Sequence, residues 1–215
     1  QNILKAVEFL IGVNFAQLFM MIFAVAMGWG SPLLAEQLLL INVLADGIPG
    51  FYICREPSEG NNMKKAPINR QTSIFADGLA QRVSFRAVVF TILTLMIFGL
   101  GQFVLSNSDI HFARTMLFLV LALGSMIDIY VIKSRQPLSL QTFANNTALN
   151  FSLGLTMLVV VSIATIPGLR EVFGFTALSD LAWVFVIISV FIPAILLEIN
   201  KRWTLRRETE LALSE

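Results

Sequence analysis

Four side chains with oxygen donors lie in the first two apolar segments of the sequence. Asn14 and Gln17 are three residues apart, so they share one face if their segment is helical. Asn42 and Asp46 are four residues apart and share a face in the same way. Amide and carboxylate oxygens suit hard cations such as Ca²⁺ and are poor ligands for soft metals. The pattern predicts a cation site formed by Asn14, Gln17, Asn42 and Asp46.

The composition places these segments in a membrane. Of 215 residues, 56% are hydrophobic and 13% are charged, whereas soluble domains carry about 25% charged residues. Because lipid offers no partner for unpaired backbone groups, we expect an all-α membrane protein, a single domain over residues 1–215 with six transmembrane helices. The apolar runs that predict these helices cover residues 9–28, 34–53, 83–105, 115–132, 149–166 and 181–199.

Asp46 is the one carboxylate expected deep in the membrane. Gln17 is eight residues from the start of the first run and Asp46 seven from the end of the second, so at ~1.5 Å per residue both lie about 10 to 12 Å from the same surface. A charged Asp at a helix centre costs ~3 kcal/mol even on a lenient insertion scale, so it normally lines a cavity or an ion path. The alternative is a protonated Asp46 hydrogen-bonded between helices, with the amides as interhelical contacts.

The residues directly after Asp46 predict a discontinuous second helix. Gly47, Pro49 and Gly50 interrupt the helical hydrogen bonds, because proline removes a donor and glycine tolerates unwinding. Unwound carbonyls at this depth can coordinate a cation. A proline kink that serves only helix packing is the alternative.

The distribution of basic residues predicts the orientation. Of the 15 lysines and arginines, only Arg114 and Arg170 fall on one side of the six spans. The positive-inside rule therefore puts both termini and the loop 54–82 in the cytoplasm. If the source is prokaryotic, we expect a multi-pass protein of the plasma membrane. No basic patch indicates binding to nucleic acid. The expected partner of the apolar spans is the lipid bilayer. The aromatic residues agree, because they fall at predicted span ends: Trp29, Trp183, Trp203, Tyr52 and Tyr130.

Four stretches resemble a known family in order and spacing. They are "NFAQ" at 14–17, "LLLINVLADGIPG" at 38–50, "EPSEGNNMKKAP" at 56–67 and "ARTMLFLVLALGSM" at 113–126. Together they resemble the C-terminal transmembrane region of P-type cation-transporting ATPases, the last six helices, and are most similar to calcium pumps of the endoplasmic-reticulum and secretory-pathway type.

The resemblance implies a ligand set with fewer charges than the two-site calcium pumps. The family's ligands fall on Asn14, Asn42 and Asp46. Gln17 stands where those pumps have a glutamate, Ala45 where they have a threonine, and Ser125 where they have an acid in the eighth helix. All three changes weaken the same one of the two sites. The resemblance thus implies one transported cation per cycle, with Ca²⁺ favoured, and a further glutamate ligand from a helix outside this chain.

The chain contains no recognisable ATP site. The family's Asp-Lys-Thr-Gly phosphorylation motif and any glycine-rich phosphate loop are missing from the sequence. The resemblance therefore implies the ion-binding membrane half of an ATP-driven pump, without catalytic residues of its own. ATP and Mg²⁺ would act through domains outside this chain, which would contact it at the 55–70 loop. The alternative is a self-standing six-helix transporter, channel-like protein or partner protein with a pump-like fold.

Overall fold

The computed structural model describes residues 2–55, 78–106, 108–134, 138 and 146–214, with side chains described up to residue 207. Within these ranges the elements are helices and no strand occurs. Most of the predicted 54–82 loop, including nearly all of the 55–70 contact segment, lies outside the described residues. Six helices are long and apolar enough to cross a membrane, which confirms the predicted all-α bundle: Asn2–Ala26, Ala35–Cys54, Leu79–Leu105, Ile110–Lys133, Thr147–Thr165 and Asp180–Arg207.

These six helices are called the first to sixth spans. The sixth continues as a helix to Ser214, and a short helix, Pro167–Val172, follows the fifth. Several spans extend beyond the predicted apolar runs, because helical hydrogen bonding continues into polar turns where hydropathy falls. The first span instead ends at Ala26, short of residue 28, because Gly28 adopts a left-handed φ of 74° and closes a Schellman cap.

The fourth span is the centre of the bundle. In its most apolar window 83% of the residues are buried, against 39–44% in the other five spans. It packs against all the long helices around it, and Met116, Phe118 and Leu121 are fully buried. The other spans present large apolar side chains outward, as expected for helices in contact with lipid. Polar residues on the fourth span are therefore held inside protein and away from lipid.

The second span departs from α-helical geometry, but it does so mainly before the predicted place and it does not unwind. It consists of an α-helix over Ala35–Leu40, a π-helical segment over Ile41–Gly47 and an α-helix over Ile48–Cys54. Gly47 keeps helical angles (φ −69°, ψ −52°), so the expected stretch of unwound backbone after Asp46 is absent from this described part of the chain. Pro49 lies in the first turn of the following helix, where a missing N–H is tolerated. The discontinuity is thus a wider helical turn, a feature frequent at functional sites.

The N-terminal end of the second span is anchored by buried polar contacts. Gln37 accepts a hydrogen bond from the Leu34 N–H (3.0 Å) and donates to the Phe173 carbonyl (2.8 Å). Arg114 of the fourth span donates twice to the Ser31 carbonyl, at 3.0 and 2.8 Å. The start of the second span is therefore held against the fourth span and the loop after the fifth.

Candidate cation site

Asp46 lies at the meeting point of three spans. Its carboxylate is almost fully buried, with 1% of the residue exposed. The Gln17 amide Nε2 of the first span donates to Asp46 Oδ2 at 3.2 Å. Ser125 of the fourth span lies near the same carboxylate, while its hydroxyl donates to the Ala122 carbonyl at 3.0 Å. The first and second spans thus bring Gln17 and Asp46 to one level, as their spacing predicts.

The second carboxylate oxygen of Asp46 has no hydrogen-bonding partner among the described residues. Asp46 Oδ1 is buried, yet no donor from the described part of the chain reaches it. A buried acceptor without a partner is unfavourable, because it has given up its contact with water. A hard cation is one species that such an oxygen can bind, with the Gln17 amide oxygen as a neutral neighbour.

The π-helical segment decides how Asp46 is presented. In this wider turn the Ile48 N–H bonds to the Val43 carbonyl, five residues earlier. Gly47 fits closely, since a Cβ there would lie 3.0 Å from the Asn42 carbonyl oxygen. The wider turn directs Asp46 into the bundle, between the first and fourth spans.

The other two predicted ligands lie at the surface. Asn14 and Asn42 are both exposed, one turn from Gln17 and Asp46 respectively. On the first span, the offset of three residues leaves about 60° between Asn14 and Gln17, which is enough to separate an inward position from an outward one. The structure therefore brings together two of the four predicted residues and leaves the two amides on the outer face of the bundle.

Sequence reasoning missed a second buried polar cluster. Asp46 is not the only buried carboxylate of the described spans, because Asp128 is fully buried and Glu8 nearly so. Arg86 pairs with both of them, through Nε to Asp128 Oδ2 at 2.6 Å and through Nη1 to Glu8 Oε1 at 2.9 Å. The signal was an arginine and an aspartate inside two apolar runs. Their pairing could not be read from the sequence, since 42 residues separate them.

The site is poor in acidic ligands. Among the residues that the structure describes, no group of three or more His, Cys, Asp or Glu side chains is placed to hold a metal ion. Asp46 is therefore accompanied by Gln17 and Ser125, which are neutral. Such a site provides one negative charge and several neutral oxygens.

Six apolar helices around a buried core define an integral, multi-pass membrane protein. The family described as "Cation transporting ATPase, C-terminus" matches residues 30–203, which is most of the chain. The chain belongs to this family, the P-type cation-transporting ATPases, and corresponds to their C-terminal transmembrane region.

Individual relatives carry names that state a transported ion. A calcium-transporting ATPase 1 of Bacillus cereus is 30% identical over 217 residues, 94% of this chain and 24% of the relative. A calcium-transporting ATPase of Bacillus subtilis is 25% identical over 197 residues, 92% of this chain and 22% of the relative. A P-type sodium-transporting ATPase4 of Toxoplasma gondii is 38% identical over 73 residues, 34% of this chain and 6% of the relative. The chain thus spans about a quarter or less of these relatives.

Proposed function

We propose that this chain is the ion-binding membrane part of an ATP-driven pump that transports one Ca²⁺ per cycle through a site at Asp46. The observation that carries the proposal is the buried Asp46 carboxylate, in contact with Gln17 and with one oxygen free of donors from the described residues. A carboxylate held inside a membrane bundle, at the level of a π-helical turn, is typical of an ion path.

The charge of the site supports a single divalent ion. Among the described residues Asp46 is the acidic group that contacts Gln17, so the first Ca²⁺ already carries more positive charge than these residues offer negative charge. A second divalent ion a few ångströms away would be repelled strongly in this poorly solvated region. Ca²⁺ is favoured because the donors are hard oxygens and because the two longer matches are named calcium-transporting.

Gln17 would change its orientation when the ion binds. Without an ion its amide N–H₂ group faces Asp46 Oδ2. An amide has its oxygen and nitrogen on opposite sides, so rotation of the side-chain end would direct the oxygen toward a cation. Asp46 would then supply the charge, and Gln17 and Ser125 would supply neutral ligands. Unlike a glutamate, Gln17 needs no proton when the site is empty.

Asn14 and Asn42 would complete the site from the exposed face of the bundle. Two exposed amides next to a buried carboxylate are unfavourable against lipid, and an additional helix would cover them. In this proposal the helix and the ATP-hydrolysing domains belong to the part of the pump that corresponds to the remaining length of the relatives. The 55–70 loop would contact those domains in the cytoplasm, where both termini also lie, and a prokaryotic protein would occupy the plasma membrane.

Transport in sealed vesicles tests this function. The full-length protein that carries this sequence should accumulate Ca²⁺ only when ATP is supplied, with one Ca²⁺ transported for each ATP hydrolysed. Na⁺, Mn²⁺ and Mg²⁺ are the comparison ions, and Na⁺ is included because two relatives with short matches are named sodium-transporting. Na⁺-stimulated transport without a Ca²⁺ response would refute the choice of ion. Gradient-driven transport without ATP would favour a self-standing transporter.

A further inference from the structure

We propose that Arg86 is a positioning residue for the Asp46 site. By bridging Glu8 and Asp128 it holds the first and fourth spans in the register at which Gln17 contacts Asp46 and Ser125 lies beside it. The inference deepens the proposed function and rests on it for its effect on ions. It assigns a specific role to a buried cluster that makes no direct contact with Asp46 in the described structure.

The guanidinium joins three helices at one point. Arg86 of the third span is 3% exposed and uses two different nitrogens for the carboxylates of the first and fourth spans. A planar guanidinium fixes the positions of the groups that it binds, in a way that a flexible ammonium does not. Arg82, one turn earlier and one third exposed, reaches the other oxygen of Glu8 at 3.2 Å and lies at the rim of the cluster.

The cluster lies on the same helices as the two polar groups beside Asp46, Gln17 and Ser125. Asp128 is three residues from Ser125 on the fourth span, about 4.5 Å along the helix. Glu8 is nine residues from Gln17 on the first span, about 13 Å along the helix. A shift of one helix along the other would therefore change the distance from Asp46 to Gln17 or to Ser125.

The packing around Arg86 is specific for this side chain. Gly12 of the first span lies beside the arginine stem, and a Cβ there would approach Arg86 Cδ to 2.8 Å and Cγ to 3.2 Å. The first and third spans can therefore pack at this distance only because Gly12 has no side chain. The fourth span is fixed further at its end, where Lys5 donates to the Lys133 carbonyl (2.6 Å) and Lys201 donates to the Val131 carbonyl (3.1 Å).

Stability alone is a weak explanation for the cluster. Glu8, Asp128, Arg82 and Arg86 carry two negative and two positive charges, so the cluster is neutral overall. Well-packed apolar residues often replace a buried ion pair with no loss of stability, because the charges have lost their hydration. The best-attested role of buried polar groups is to fix the register of helices. This role fits a cluster that lies between the first and fourth spans.

The first experiment measures the register directly. Cysteines are introduced at two exposed positions, Leu18 on the first span and His111 on the fourth, and the natural Cys54 is replaced by serine so that only these two are labelled. Spin labels on them report the distance between the spans by pulsed electron paramagnetic resonance. Arg86→Met should shift or broaden the distance distribution, whereas Arg82→Met, the matched control at the rim, should leave it unchanged. A distribution unchanged by Arg86→Met would overturn the proposal.

The second experiment measures the ion site in the full-length protein. Arg86→Met should raise the half-saturating Ca²⁺ concentration for phosphoenzyme formation about 10- to 100-fold, the usual effect of groups that orient metal ligands, with the maximal level largely kept. Arg86→Lys should keep part of the affinity. A lower melting temperature with unchanged Ca²⁺ dependence would overturn the positioning role, because it would leave only a contribution to stability.

Two further variants cover the case in which Arg86→Met does not fold. Gly12→Ala keeps every charge but displaces the arginine stem, so it should raise the half-saturating Ca²⁺ concentration. The control Gly154→Ala adds the same methyl group to a helix at a position with open space, and it should leave the Ca²⁺ dependence unchanged. The triple variant Glu8→Gln, Arg86→Met, Asp128→Asn removes the charges of all three buried side chains together and should also lose Ca²⁺ affinity. Normal affinity in both would overturn the proposal. A Ca²⁺ response unchanged by Asp46→Asn would refute the proposed function instead, and the spin-label distances would still decide whether Arg86 sets the register.

Discussion

Asp46→Asn is the substitution that tests the ion site most directly. It keeps the shape and volume of the side chain and removes the negative charge that contacts Gln17. Because Asp46 is almost fully buried, nearby water cannot replace the lost charge. The variant should therefore lose the ion while the helices keep their packing.

The magnitude follows from the charges and their surroundings. At about 3 Å and an effective dielectric constant of ~20, a divalent ion and a carboxylate attract each other by about 11 kcal/mol. Part of this is offset, because the variant no longer has to bury a carboxylate in the ion-free state, which costs several kcal/mol. A net loss of about 4 to 6 kcal/mol remains, or roughly 10³- to 10⁴-fold in ion affinity. Gln17→Ala removes a neutral ligand and one hydrogen bond, so it should cost only about 1 to 2 kcal/mol.

The assay is Ca²⁺-dependent phosphoenzyme formation from ATP in the full-length protein. Asp46→Asn should show none at Ca²⁺ concentrations that saturate the parent protein, and Gln17→Ala should respond at moderately higher concentrations. Asp109→Asn is the matched control, because it replaces a carboxylate with an amide in the same way, but at the exposed start of a helix. Near-normal activity of Asp46→Asn would refute the reasoning and favour a neutral, hydrogen-bonded Asp46 with a packing role.

Three further predictions concern the helix break, the isolated chain and the topology. Gly47→Ala should destabilise the protein and weaken Ca²⁺ binding, because its Cβ would lie only 3.0 Å from the Asn42 carbonyl oxygen. The control Gly154→Ala should leave the melting temperature unchanged or raise it, because alanine is usually favourable in a helix. Equal melting temperatures for the two variants would contradict this reason. The 215-residue chain alone should bind Ca²⁺ weakly, since each missing charged ligand weakens a hard-cation site, and micromolar affinity by calorimetry would argue against it. A cysteine at Lys64, with Cys54→Ser, should react with an impermeant reagent only after cells are permeabilised, because we place the 54–82 loop in the cytoplasm; labelling of intact cells would reverse the topology.

The sequence by itself determined the membrane class, the number of spans and the presence of a discontinuity in the second span. These properties are local, because an apolar run of about 20 residues must be helical in lipid whatever surrounds it. The glycines and proline after Asp46 likewise predicted a discontinuity in the second span. Its form, a π-helical turn over Ile41–Gly47 that ends where unwinding was expected to begin, depends on packing against neighbouring helices.

The tertiary structure decided which polar groups meet. The depths of Gln17 and Asp46 could be counted along two spans, but the rotation of each helix about its axis could not, and this rotation separates the buried pair from exposed Asn14 and Asn42. The contact of Arg86 with Asp128 joins the third and fourth spans, and the relative register of these helices cannot be predicted from the sequence of either one. Spacing within one helix follows from backbone geometry, whereas contacts between helices depend on how all six bury their side chains together.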